Sequence, residues 1–396
     1  MSKKCLYNGK LITPERIIEN GYVVFSDGKI IEVGSNIDVS SFDGEMTDVK
    51  GKYIAPGFID IHCHGGGGCD FMDGTVDAYI TAATTHAQHG TTAILPTTLT
   101  STNEELINTF EVFNKVKDME FDGAKLLGLH LEGPYFSPLQ AGAQDPRYLK
   151  CPVKEDYEEI TRKSHGNIIR WSAAPELPGS AEFGAFLKEQ GILASIAHSN
   201  AKYEDVILAY ENGFDLITHF YSGMSTIVRE DGYRKLGVIE SGYVIDGMNV
   251  EIIADGHHLP KELLKLVYKS KGADRIALVT DSMRGAGMPD GEESILGSLK
   301  DGQKVIIEGG VAKLMDRSAF AGSVCTTDRL VRTMHKEADV PLCDAVKMMT
   351  IVPARFIKID NKKGSIALSK DADLVVFDED INILMTIVEG KTVYKI

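Results

Sequence analysis

Eight short apolar runs, each followed by a longer amphipathic stretch, recur through the middle of this chain and constrain its fold more than any other feature. They read GFIDIHCH (57–64), TTAILPTT (91–98), KLLGLHLEG (125–133), IIRWSAAPE (168–176), ILASIAHSN (192–200), FDLITHFYS (214–222), NVEIIADGHH (249–258) and DRIALVTDS (274–282). Strands of a parallel sheet are covered on both faces, so they read as near-continuous hydrophobic runs with helices supplying the crossovers. Eight such units within residues 55–357 predict an α/β fold, a (β/α)8 barrel of the TIM type. A doubly wound open sheet would use the same units. The polar residues that close the runs favour the barrel, which gathers its strand ends at one mouth.

The flanks have another rhythm. LYNGKLI, GYVVFSDGKIIEVG and GKYIAPG near the start place Asn-Gly and Asp-Gly between β-branched residues, a strong hairpin signal. KGSIALSKDADLVVFDEDINILMTIVEGKTVYKI at the end repeats that pattern. Residues 1–54 and 358–396 are therefore expected to form one small β-sandwich domain beside the barrel of residues 55–357.

Charge narrows the partners. With 42 Lys and Arg against 57 Asp and Glu, the formal net charge is -15, which argues against non-specific binding to nucleic acid or to an anionic membrane. An anionic substrate would need a local counterpart such as a metal or an arginine. The six cysteines (5, 63, 69, 151, 325 and 343) lack C-x-x-C spacing and read as reduced thiols. MSKKCLYNGKLITPE carries no apolar signal-peptide core, and no run reaches about 18 apolar residues. The expectation is a soluble, cytoplasmic protein.

Nearly every run ends in His, Asp or Glu: His62 and His64 on the first, Glu132 on the third, then His198, His219, His257 with His258, and Asp281. Neutral imidazoles and carboxylates converging on one mouth are what a divalent metal requires. Side chains alternate along a strand, so His62 and His64 face one way and Cys63 the other. Other histidines read as structural. His86 and His89 belong to a helical pattern ending at Gly90, His130 sits one layer below Glu132, and His165 and His335 fall on surface segments. Gly65–Gly68 fits neither the P-loop nor the dinucleotide fingerprint and reads as a tight turn; a backbone nest for an anion is the weaker alternative.

PGFIDIHCHG, GLHLEGPY, AHSNA, THFYSGM, IADGHH, LVTDSM and FAGS, in that order, resemble the amidohydrolase superfamily. Within it they are most similar to the N-acetylglucosamine-6-phosphate deacetylase family, over almost the whole chain. The resemblance implies a metal held by Glu132, His198 and His219, with His62 and His64 forming a second site bridged by Glu132. One or two divalent ions (Zn, Fe, Mn or Co) are then feasible. The carboxylated lysine that bridges metals in other branches is absent from the fourth run, consistent with Glu132 as bridge. By the same resemblance, Asp281 shuttles the proton during attack on an acetamide carbonyl, and His258 steadies the carbonyl oxygen. Gln144 and Arg229 meet a substrate phosphate, with Arg229 reaching over from the neighbouring subunit of a homodimer. Ser222 and Gly223 stand where the family often carries Asn-Ala, which bears on sugar-ring contacts and on the choice between gluco and galacto epimers. Other substrates to weigh are N-acetylgalactosamine 6-phosphate and, from other branches, a cyclic amide or an aminated purine. A scaffold without catalysis would have shed these ligands.

Overall fold

The structure is a computed structural model that describes residues 3–297, 299, 302–317 and 320–396. All eight runs contain a strand: Phe58–Cys63, Thr91–Thr98, Leu129–Glu132, Ile168–Ala173, Leu193–Ile196, Phe214–Ile217, Asn249–Ile252 and Ile276–Leu278. Each pairs in parallel with the next in chain order. The last strand does not ladder with the first, but just past their ends the chain closes the ring. Asp281 N–H donates to His62 O at 2.9 Å, and His64 N–H to Ser282 O at 2.9 Å. The result is a nearly closed eight-stranded parallel barrel.

Two irregularities decide what its interior presents. Asp60 pairs with Ile94 and Cys63 with Pro96, three residues against two. This one-residue bulge resets the alternation. Ile59 and Ile61 join an apolar plug with Ala93, Leu95, Ala277 and Val279, and above it His62 and His64 also turn inward. On the fourth strand Leu129 pairs with Ile168 but His130 with Arg170. Ile169 therefore packs against the plug while Arg170 projects into a polar layer over it. The barrel is apolar at the strand N-termini and polar towards the C-terminal mouth.

The termini share one eight-stranded sheet. Tyr53–Pro56 pairs in parallel with Lys4–Ile12 and antiparallel with Leu374–Phe377, which joins the two ends of the chain. Asp27 and Gly28, both at positive φ, make the Asp-Gly turn expected between Ile17–Ser26 and Lys29–Ser35. Instead of two separately paired sheets, the strands form a continuous path. Its apolar cluster draws Leu6, Val23, Phe25 and Ile54 from one end and Leu374, Val376 and Ile387 from the other. Unanticipated by the run pattern, Glu293–Leu296, Gln303–Glu308 and Val311–Leu314 form a three-stranded antiparallel insert after the eighth strand.

Candidate metal centre and active site

Six side chains from five strand ends meet at the barrel mouth. Glu132, 2 % exposed, stands at the centre. Its Oε1 lies 3.4 Å from His198 Nε2 and 3.1 Å from His219 Nε2, and those two nitrogens are 3.3 Å apart. On the other side, His62 Nε2 is 3.5 Å from Oε1 and His64 Nε2 is 3.4 Å from Oε2. The pair is separated by 3.3 Å, with Asp281 Oδ1 at 3.4 and 3.2 Å. Donors about 2.1 Å from a tetrahedral ion stand about 3.4 Å from one another. Both sets already have that spacing and share Glu132, so the residues fit two divalent ions.

The local backbone explains how the side chains arrive. His198, His219 and Asp281 each follow the end of a strand and adopt positive φ of 45°, 28° and 46°. Non-glycine residues rarely take that conformation, and it costs of order 1–3 kcal/mol where the surroundings enforce it. Here it turns each side chain across the mouth just after the ladder ends. Gly223, at φ 58°, lies so close that a Cβ there would stand 2.9 Å from His198 Nδ1. His198 Nδ1–H donates to Gln140 O at 2.9 Å, which leaves the Nε2 lone pair for a metal.

Electrostatics agree with this donor set. Burial works against ionisation of Glu132, yet His62, His198, His219 and His64 outweigh it and hold its carboxyl well below the usual range. Burial likewise opposes ionisation of Asp281, but His62 and His64 bring it down to about 2. Burial disfavours charge on His64 and His219, while Glu132 and Asp281 draw both above the ordinary histidine range. Such carboxylates demand positive charge, which protons on the imidazoles or a cation would supply. Metal binding at such ligands therefore releases protons.

A cavity of about 230 Å³ opens over these groups. Ser222, Gly223 and His258 line it, as do the apolar Leu99, Ala143, Leu296 and Phe320. His258 Nδ1–H donates to Asp255 Oδ2 at 2.8 Å, which turns Nε2 to the cavity, whereas His257 is exposed. Of the two adjacent histidines at the end of the seventh run, His258 is the one at the site. Asp255, three residues before it, holds that ring; the motif contained it, but the strand-end pattern did not single it out. The apolar wall comes from four distant segments and carries no local signal.

Two expected phosphate contacts stand differently. Gln144 lines the cavity, but its carboxamide is engaged: Nε2–H donates to Glu132 Oε2 at 2.7 Å, and Oε1 accepts from Thr100 N at 2.9 Å. It braces the Glu132 carboxylate with one N–H, and its NH₂ carries a second N–H beside the cavity. Arg229 lies on an exposed hairpin, Val228–Glu230 with Tyr233–Lys235, and does not line the cavity of its own chain.

The remaining histidines resolve by contact. His130 bonds Thr97 Oγ1 at 3.2 Å and Ser172 Oγ at 2.7 Å through its two nitrogens, so neither is free for a metal. His86 is on the expected helix, Val76–Ala87, yet it is fully buried against the barrel. Its Nε2 lies 2.9 Å from Gly65 O and 3.2 Å from Cys63 Sγ. With Asp60 these form a third potential ligand group, but a ring nitrogen that donates to a carbonyl has no lone pair for an ion. The glycine run is a tight hairpin. Gly67 and Gly68 take positive φ, and the amides of Gly65, Gly67 and Gly68 donate to carbonyls of residues 282, 286 and 284. No anion nest is left there.

The sequence matches the model of the Amidohydrolase family over residues 53–393. The chain belongs to this family. Among curated amidohydrolase relatives, N-acetylglucosamine-6-phosphate deacetylase of Bacillus subtilis is 32% identical over 97% of this chain and 95% of its own length. N-acetylgalactosamine-6-phosphate deacetylase of Escherichia coli O157:H7 is 29% identical, covering 96% of this chain and 97% of that protein. A solved structure of N-acetyl-D-glucosamine-6-phosphate deacetylase from Mycobacterium smegmatis, in complex with N-acetyl-D-glucosamine-6-phosphate, superposes with a TM-score of 0.90. It is 26% identical, and the match covers 100% of both chains.

Proposed function

We propose that this amidohydrolase hydrolyses the acetamide of N-acetylglucosamine 6-phosphate to glucosamine 6-phosphate and acetate. The observation that carries the reading is the pair of preformed donor sets sharing Glu132, with ionised Asp281 at their edge and His258 across the cavity. The names of the full-length relatives support the substrate class. A divalent ion held by Glu132, His198 and His219, with a second at His62 and His64, would lower the pKa of coordinated water from 15.7 to about 7. Asp281 takes the proton released as the amide carbonyl is attacked, then returns it to the departing nitrogen, which leaves poorly as an anion. His258, its ring held by Asp255 through Nδ1–H, would stabilise the charge developing on the carbonyl oxygen by donating a second N–H from Nε2, as an imidazolium facing the Asp255 carboxylate. Leu99, Leu296 and Phe320 restrict bulk water.

Arg229 is assigned to the phosphate of a neighbouring subunit in a homodimer, since a guanidinium offers two parallel donors to phosphate. Its exposure on a hairpin leaves it free to reach across. Residues 1–54 with 358–396 are read as one unit beside the barrel of residues 55–357, a β-sandwich made by folding their single continuous sheet over its apolar cluster, and the enzyme as cytoplasmic. No described helix is long and apolar enough to cross a membrane.

Amine release from phosphorylated and unphosphorylated N-acetylglucosamine and N-acetylgalactosamine tests the substrate. Losing two charge-assisted hydrogen bonds, about 1.5–3 kcal/mol each, lowers kcat/KM by about 100-fold or more. Unphosphorylated sugars are expected to be slower by at least that factor. Equal rates would refute phosphate recognition, and faster turnover of the galacto epimer would reassign the sugar.

A further inference from the structure

From its place beside His62, we infer that the buried Arg170–Glu251 ion pair positions this ligand and sets the metal affinity of the His62/His64 half of the centre. The inference rests on the two-ion reading of that site. Both members are fully buried, at 0 % exposure. Arg170 places every donor group it has. Nε–H donates to Ser195 Oγ at 3.0 Å, one terminal nitrogen to Ile61 O at 3.1 Å and to Glu251 Oε1, and the other to Thr218 Oγ1 at 2.7 Å and Glu251 Oε2 at 2.9 Å.

Two of those contacts reach the same ligand. Glu251 Oε2 faces His62 Nδ1 at 3.6 Å, and that nitrogen has no hydrogen bond of its own among the described residues. Ile61 O belongs to the residue just before His62, within the bulge that turns the histidine inward. The pair thus acts on the ring through a carboxylate and on the backbone through a carbonyl.

A neutral imidazole carries one proton and one lone pair. With a carboxylate facing Nδ1, the proton is favoured there, and the lone pair falls on Nε2, the nitrogen that meets His64, Glu132 and Asp281. His198 achieves the same orientation by donating to Gln140 O, so the two halves of the centre are oriented by separate devices. Stability alone does not call for this pair, because apolar residues of similar volume often replace a buried ion pair at no cost. Its service to His62 accounts for a charged pair in the barrel.

Zinc titration of the chelated full-length protein, read by calorimetry, tests this. Wild type is expected to take up two ions. In Glu251→Gln the amide presents an N–H to Nδ1 and favours the wrong tautomer, so one binding step weakens about 10–100-fold while the other is unchanged. The double variant Arg170→Met/Glu251→Leu removes both charges together, leaves none unpaired, and is expected to show the same selective loss. A pair that served only the fold would shift the unfolding midpoint and leave both zinc steps where they were, which overturns the inference. Uptake of a single ion by wild type would instead overturn the two-ion reading beneath it.

Discussion

Replacing Glu132 by glutamine is expected to strip metal from both halves of the centre and to lower turnover by about 10⁴-fold or more. Of the donors at the mouth, Glu132 belongs to both ligand groups, with one oxygen within 3.5 Å of His62, His198 and His219. The amide keeps the volume but lacks the negative charge, and its NH₂ cannot donate a lone pair to an ion. Lewis-acid stabilisation contributes several kcal/mol to such reactions, and each 1.36 kcal/mol is tenfold in rate. Elemental analysis of the purified variant, beside its amine-release rate, checks both parts. Retention of bound metal at the wild-type level would remove Glu132 from its bridging role.

Asp281→Asn separates chemistry from metal binding. General acid–base catalysis by a positioned group contributes about 10²–10⁴-fold, and turnover should fall by that factor. The Glu132, His198 and His219 set does not include residue 281, so this variant keeps that ion and its fold. His62 and His64 hold the Asp281 carboxyl down at about 2 against the opposing effect of burial, so it is ionised at neutral pH and ready to accept a proton. A variant with near wild-type rate would show that another group moves the proton.

How much of this was legible beforehand differs by residue. The eight strands were readable because strands buried on both faces carry uninterrupted apolar runs. The side chains that meet at the mouth were readable because such runs end there and because His62 and His64 are two apart. The inner polar layer was not. Whether Arg170 faces in or out depends on a bulge opposite Leu129, which no local pattern announces. Its partner Glu251 lies 81 residues away. His257 and His258 could not be distinguished from the run, since the strand ends at Ile252 and the loop geometry decides which ring turns inward. His86 lies on its expected helix, but a helix position near Gly90 does not reveal that the ring tucks against Cys63. The terminal strands were recognisable as β, but their union into one sheet depends on the pairing of Tyr53–Pro56 with Leu374–Phe377 across the chain.

The central claim is that distant strand ends assemble a metal centre around Glu132, and anomalous diffraction from crystals grown with zinc tests it most directly. The expected map has a strong peak enclosed by Glu132, His198 and His219, and a second beside His62, His64 and Asp281. A map with no peak at the mouth, and with the imidazole nitrogens turned away from one another, would contradict it.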